Sequence, residues 1–387
     1  MKHSLLVLII VALNVNAQWV NIYKRGLIEL IPDTTFAKKT QWDDILYNPV
    51  EGIAITQDGT IFMTQSHHHR IHIVTPSGDL SRSFSQKGEG PGDVYHPGDP
   101  SILDNKYLVV GEYAERHRIS IFDLSGKFVK IVKTKTSPFQ PIALKNNKIA
   151  YISYQYSNPN KIEKIKSRKE LIYIKDIHSG IEKIVAEIET IQRFTIVDKV
   201  SLGISYSDFV MISSTLDNNL LVCSTNRDYI VIFDENGKQI KTIPLKLKPV
   251  PVTNSFIGKV KERLLADLEK NEPEKTRTVI LKLYRNAPFS DFFGSTLPLY
   301  SWLCVDSDGN ILIFKQKTEP GNKDDFFQVY SPDGNFICET QIKWGMYYPA
   351  NLSRGNGFYF TKNGIIGIFE SDTEDDTLYK LIKLNTR

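Results

Sequence analysis

One turn-and-strand signal occurs six times in this chain, and it constrains the fold more than any other feature. A polar Asp/Asn/Gly cluster precedes a short apolar strand. It reads Gln57-Asp58-Gly59 before Thr60-Ile61-Phe62-Met63, and Asp104-Asn105 before Tyr107-Leu108-Val109-Val110. It recurs as Asn146-Asn147 before Ile149-Ala150-Tyr151-Ile152, and as Asp217-Asn218-Asn219 before Leu220-Leu221-Val222. The last two copies are Asp308-Gly309-Asn310 before Ile311-Leu312-Ile313, and Asn363-Gly364 before Ile365-Ile366. A second signal follows in most copies: a strand, a glycine turn and another strand. Examples are Ile71-His72-Ile73-Val74 into Ser77-Gly78, Ile119-Ser120-Ile121-Phe122 into Ser125-Gly126, and Phe327-Gln328-Val329-Tyr330 into Asp333-Gly334. Asn-Gly and Asp-Gly pairs supply the positive φ angles that tight hairpins require.

Each copy reads as four short antiparallel strands, A to D, and the copies recur at roughly forty to fifty residues, a period characteristic of propeller blades. A lone four-stranded sheet leaves both faces wet, so such units stack about an axis. The expected fold class is all-β: a six-bladed β-propeller over 18–387. The last unit is short, with strands at Gly357 to Phe360, Ile365 to Glu370 and Leu378 to Leu384. The segment Val20 to Leu30 is the expected fourth strand, which would close the ring and remove an open edge. A helical insertion at about 250–296 separates units four and five. Asn254 is placed to cap a helix from Ser255 to Lys270, with Phe256, Ile257, Val260, Leu264, Leu265 and Leu268 on one face. It is the only helix the pattern supports in the mature chain.

The first residues belong to export, not to the fold. Lys2 and His3 precede the apolar run Leu5 to Leu13, and Val15-Asn16-Ala17 supplies small residues for cleavage. Residues 1–17 therefore read as a signal peptide, giving a periplasmic or extracellular protein. No later segment is apolar enough to span a bilayer. The three cysteines, Cys223, Cys304 and Cys338, sit in apolar stretches, without CxxC or zinc-ligand spacing. A net charge of +4 on 387 residues does not suggest a nucleic-acid partner.

Certain stretches resemble a known family. Ser66-His67-His68-His69-Arg70-Ile71-His72-Ile73-Val74-Thr75-Pro76-Ser77-Gly78 resembles the NHL repeat. Gly88-Glu89-Gly90-Pro91-Gly92-Asp93 is similar to a segment of bacterial six-bladed propellers of the NHL and TolB-like type, as is Leu297-Pro298-Leu299-Tyr300 followed by Val305-Asp306 and Gly309-Asn310. Asp93-Val94-Tyr95 departs from that pattern. The resemblance implies the propeller fold far more than an activity. Within it, NHL-type lyases hold zinc with ring-face histidines.

Propeller geometry converts sequence position into a face. The A–B and C–D turns fall on one face, and the B–C loops and D–A connections on the other. The second face collects the unusual residues, so any site is expected there, near the central channel. The ligand-binding candidates are His67, His68, His69 and Arg70 in the first B–C loop. Arg116, His117 and Arg118 follow in the second, with Glu112 and Glu115 beside them. Lys166 and Arg168 stand in the third, with Lys161, Lys164 and Lys169. No cofactor is expected. Zinc or calcium would enter only if loop histidines converged, with His68 and His117 as the candidates. Acidic residues of the sixth B–C loop, Asp372, Glu374, Asp375 and Asp376, lack the alternating oxygen ligands of a calcium loop. The Gly88 to Asp93 stretch has no following helix, so it reads as a connection rather than a phosphate loop.

Against these, three consecutive histidines form a polar turn as readily as a site, and His72 reads as a packed strand histidine. The basic third loop could attract an anion but equally reads as a solvated run. The function expected is non-catalytic binding of a glycan, small molecule or protein on the loop-rich face. The alternative is a metal-assisted lyase or hydrolase of the NHL type using His67, His68, His69 and His117.

Overall fold

The computed structural model describes residues 18–39, 42, 45–46, 50–112, 116–156, 164–197, 200–203, 206–345, 347–349, 357–362, 364–372 and 377–387. Residues 1–17, expected to be a signal peptide, and Glu115, Lys161, Asn363, Glu374, Asp375 and Asp376 lie outside the described residues.

The described chain is mostly β. It opens with α1 (Gln18–Tyr23) and β1 (Leu27–Pro32). One four-stranded sheet follows: β2 (Gly52–Ile55), β3 (Ile61–Gln65), β4 (Arg70–Val74) and β5 (Leu80–Phe84). The next contains β6 (Pro97–Leu103), β7 (Tyr107–Glu112), β8 (Arg118–Asp123) and β9 (Phe128–Lys133). A five-stranded sheet comes third: β10 (Phe139–Leu144), β11 (Lys148–Tyr156), β12 (Ile165–Asp176), β13 (Glu182–Val197) and β14 (Val200–Gly203). Then come β15 (Val210–Ser214), β16 (Leu220–Ser224), β17 (Tyr229–Phe233) and β18 (Gln239–Pro244). The rest form a nine-stranded sheet with β1: β19 (Tyr300–Val305), β20 (Ile311–Lys315), β21 (Asp325–Tyr330), β22 (Phe336–Lys343), β23 (Tyr347–Pro349), β24 (Phe358–Thr361), β25 (Gly364–Asp372) and β26 (Thr377–Thr386).

The repeated turns form as their residues require. Asp104 and Asn105 both have positive φ (51° and 50°), as do Asn146 and Asn147 (58° and 56°). Two consecutive left-handed residues make the tight turn whose twist matches the flanking strands.

The nine-stranded sheet consists of two antiparallel arrays bridged by β1. Residues Leu27, Ile28 and Glu29 pair parallel with β22, and Leu30, Ile31 and Pro32 pair antiparallel with β26. Five hydrogen-bonded sheets therefore stand where six separate units were expected. The strand also begins later than Val20. Trp19, Ile22 and Tyr23 have helical spacing, and all three are buried in α1. Tyr23 Oη donates to Asp306 at 2.8 Å, and Trp19 Nε1 to the Thr361 carbonyl at 2.8 Å.

The sheets stack as a propeller. The first strands adjoin one another in turn, β2 with β6, β6 with β10, β10 with β15 and β15 with β19. Gly52 of β2 approaches β6 so closely that a Cβ there would lie 2.7 Å from Asp99 Oδ1. Apolar layers fill each gap: Phe62 and Ile71 with Leu108 and Phe122, then Val109 and Ile119 with Ile149 and Tyr173. Ile152 and Ile174 pack with Val210 and Val222, and Leu221 and Ile230 with Tyr300 and Leu312. Phe314 and Phe327 meet Phe358 and Phe360. Ile53 and Met63 of the first sheet pack with Ile366 and Ile368 near the chain's end, so the circuit closes. Each such side chain contributes roughly 1.5–3 kcal/mol by burial.

Two departures shape the loop-rich face. Lys166 and Arg168 lie on β12, not in a loop, because β11, β12 and β13 extend as a long antiparallel array. The insertion holds two helices, α2 (Asn254–Asn271) and α3 (Glu274–Asn286), and a 3-10 turn at Phe289–Phe292. With α1, they correct the expectation of a single helix. Thr253, rather than Asn254, caps α2: its Oγ1 accepts from Phe256 N at 3.1 Å. The insertion packs on the tip of the long array through Val197, Leu202, Phe256, Phe289, Phe292 and Phe293. Tyr284 Oη donates to the Gly203 carbonyl, and Thr195 Oγ1 to Asp291, each at 3.1 Å.

Candidate functional site

The sequence candidates gather in two places. The turn between β3 and β4 carries His67, His68 and His69, and it meets the connection from β5 to β6. His96 N donates to His69 Nδ1 at 3.1 Å, and Ser66 Oγ lies 3.1 Å from His96 Nδ1. The His69 ring stacks on Tyr95 at 5.3 Å, and His96 meets His69 edge-on at 4.8 Å and His67 at 6.4 Å. Arg116 lies 4.8 Å over the Tyr95 ring and pairs with Glu89 at 2.8 Å. Burial first, then neighbouring His96, lowers the pKa of His69. Burial and His67 lower that of His96. These rings are thus biased toward the neutral form.

Other candidates are committed to structure. Arg118 Nε donates to Glu112 Oε1 at 2.8 Å, and its Nη2 reaches the carbonyls of Asp93 and Gly88. Glu112 is fully buried and also accepts from Ser120 Oγ at 2.6 Å and Tyr95 N at 2.9 Å. Arg168 donates to buried Glu170 at 2.6 Å and stacks over Tyr154 at 4.4 Å. Glu170 in turn accepts from Val210 N of the next sheet, bolting the two sheets together. Arg70 donates to the Ser85 carbonyl at 2.9 Å, and Lys166 lies 5.7 Å over Phe194. His117 is exposed, with φ 44°, and its carbonyl accepts from Thr134 N. Among the described residues, no group of three or more His, Cys, Asp or Glu is placed to hold a metal.

A small cavity lies among the inner strands β6, β10, β15 and β19. Bounded by Asp99, Gln140, Met211 and Trp302, it measures about 10 Å3, room for about one water. The larger openings on the loop-rich face lie elsewhere, where β18 leads into the insertion. One cleft of about 540 Å3 runs between the strap Lys246–Val250 and the loop from β20 to β21. A second, of about 210 Å3, is bounded by Arg193, Tyr206, Asp208, Asn226 and Ser295. Pro249 and Leu299 line both, so the two are lobes of one opening.

The strap is fixed from below. Lys246 N donates to Tyr330 Oη at 2.7 Å, and Gln328 Nε2 donates to the Lys246 carbonyl at 2.8 Å. Tyr330 Oη donates onward to Gln328 Oε1 at 2.7 Å, and both residues are buried. The far end of the strap is tied to the insertion: Val252 N donates to the Ser295 carbonyl and Leu297 N to the Val250 carbonyl. Leu299 N donates to Thr225 O at 2.7 Å, which anchors the shared wall to the loop from β16 to β17.

Charge is unevenly distributed in this cleft. Lys315 pairs with Glu339 at 2.9 Å and Lys317 with Asp325 at 3.1 Å. Burial lowers the Lys317 pKa, against the pull of Asp325. Burial raises the Asp208 carboxyl pKa, which Asn226 and Arg193 partly offset. The arrangement offers a few fixed polar groups on an apolar wall, the usual composition of a small-ligand site.

None of the lobe residues was among the sequence candidates. The signals available were the proline-punctuated strap through Pro249 and Pro251, and Leu297-Pro298-Leu299, which resembled the propeller family but carried no chemical motif.

No family model matches the chain, and no curated protein matches it. Among solved structures it is similar to a putative exported protein from Bacteroides fragilis: 11% identity over 93% of this chain and 95% of that one, TM-score 0.48. It is similar to a DUF4221-family member from Bacteroides vulgatus, at 11% identity over 94% and 99% of the chains, TM-score 0.48. A gluconolactonase from Xanthomonas campestris matches at 11% identity over 93% and 90%, TM-score 0.44.

Proposed function

We propose that the chain is an exported six-bladed propeller of the NHL and TolB-like kind that binds a ligand non-catalytically in the two-lobed cleft. In this reading β19–β22 and β23–β26 count as separate blades, with β1 stitching them together. One observation carries the binding role: a cavity of ligand size, about 540 Å3, continues past Pro249 and Leu299 into a smaller one of about 210 Å3. The wall rests on the buried Gln328 and Tyr330 pair and on main-chain ties, so the site is preformed and its ordering cost on binding is small.

The test is a thermal-shift survey with small sugars, sugar acids and short peptides. A hit is expected to lose its stabilisation in Leu299→Trp, which puts a bulkier ring on the wall the two lobes share, and to keep it in His67→Ala. Hits indifferent to Leu299→Trp would overturn the assignment. Processing is tested separately by sequencing the N-terminus of protein recovered from an export-competent host, with Gln18 the expected first residue.

A further inference from the structure

We infer that the inner strands hold one buried water molecule as a fixed part of the fold, in the small cavity lined by Asp99, Gln140 and Trp302. The inference is independent of the cleft. Trp302 Nε1 is buried, and among the described residues no atom accepts its proton in hydrogen-bonding geometry. The Cys304 thiol interacts with the indole from two residues along β19, but burial keeps it protonated, and a neutral thiol is a weak acceptor. A buried donor left without an acceptor costs about 1–3 kcal/mol. A water in the cavity accepts from the indole N–H and donates its own two protons to oxygen.

The strands leave regular pairing at this level. The register slips in β6 between Pro97 and Pro100, in β10 between Phe139 and Ile142, and in β19 between Tyr300 and Trp302. Such bulges re-aim side chains. Gln140 also has a left-handed φ of 49°, an uncommon conformation for a residue with a long side chain. The three slips bring one polar residue per strand, Asp99, Gln140 and Trp302, to a single cavity. The regularly paired β15 contributes only Met211 and Ile212 to it. Polar side chains therefore converge where the ladders break, which marks a built site. Two features select its occupant. The volume of about 10 Å3 is near the lower bound for one water and too small for an organic ligand. The lining also mixes a donor, the indole N–H, with residues that carry acceptor oxygens, Asp99 and Gln140. Water serves both kinds of group, whereas a metal cation would face the N–H.

A high-resolution crystal structure of the purified protein, with anomalous data from a crystal soaked in rubidium chloride, tests this. One water peak is expected about 2.7–3.2 Å from Trp302 Nε1 and within the same reach of a side-chain oxygen of Asp99 or Gln140, with no rubidium signal there. A cavity without density, a water out of reach of Trp302 Nε1, or a rubidium peak at the site would overturn the inference. Oxygen-17 relaxation dispersion gives a second reading in solution. Trp302→Phe removes the donor, and at unchanged circular dichroism it is expected to lose one long-lived water relative to the wild type. Equal numbers of long-lived waters in the two proteins would also overturn the inference. Should Trp302→Phe fail to fold, the wild-type crystal structure decides alone.

Discussion

The Tyr359 hydroxyl donates to the Ile53 carbonyl at 2.9 Å, joining residues 306 positions apart. Tyr359 belongs to β24 and Ile53 to β2, so this bond links the last first-strand of the circuit to the opening one. Burial holds the phenol pKa above its ordinary value, so it remains a donor throughout the working pH range. Tyr359→Phe should cost about 1 kcal/mol in urea unfolding, the usual net worth of such a bond. No measurable loss would show that closure does not depend on it.

His72 is a strand histidine with both ring nitrogens engaged, Nδ1 by Ser83 Oγ and Nε2 by Gln65 Oε1, each at 2.7 Å. The amide oxygen can only accept, so Nε2 carries a proton. Burial, then Arg70, lowers its pKa from 6.5 to about 4. Between those values the unfolded chain binds a proton that the folded chain refuses. Stability therefore falls as the pH drops through that window, by about 3 kcal/mol in total, and the residue adds no further loss below it. His72→Gln should flatten the pH 4–6.5 limb of the stability profile, and an unchanged slope would refute the assignment.

Trp19 and Tyr23 make α1 part of the core, with Trp19 set edge-on to Phe360 at 5.1 Å and Tyr23 to Phe327 at 5.7 Å. Trp19→Ala should cost about 3–5 kcal/mol, read as a large fall in melting temperature. A small shift would mean that the helix is detachable.

Arg168 separates a structural from a ligand role. Glu170 is fully buried beside it, so Arg168→Ala leaves a buried acid without its cation and should destabilise by about 3 kcal/mol or more. Binding in the cleft should stay unchanged per folded molecule when titrated below the melting transition. A selective loss of binding with normal stability would return Arg168 to the site.

The repeat was legible because turn chemistry is local: Asp104 with Asn105, and Gly309 after Asp308, dictate their own backbone angles. The bridging role of β1 was not, because hydrogen bonding to both β22 and β26 depends on two strands that lie far along the chain. The α1 helix was missed because six residues carry little periodic signal, although Trp19, Ile22 and Tyr23 have the spacing. Openings occur on both faces, and the cleft on the loop-rich one is lined by residue types that carry no chemical motif in sequence. Arg118 and Arg168 look like ligand contacts in sequence because their buried partners, Glu112 and Glu170, cannot be recognised as buried. The cleft depends on how Pro249 and Leu299 are brought together across the insertion, and no short motif encodes that.

Ring closure underlies every assignment above, and a distance measurement tests it most directly. Nitroxide labels at Asp58 and Lys362, both exposed on turns at the same end of the first and last units, report the gap between them. Cys223, Cys304 and Cys338 are replaced by alanine in that background. A closed circuit predicts one narrow distance distribution, roughly 15–30 Å once label arms are added to the ~10 Å spacing of packed sheets. A broad distribution reaching well beyond that would mean an open arc and would contradict the account.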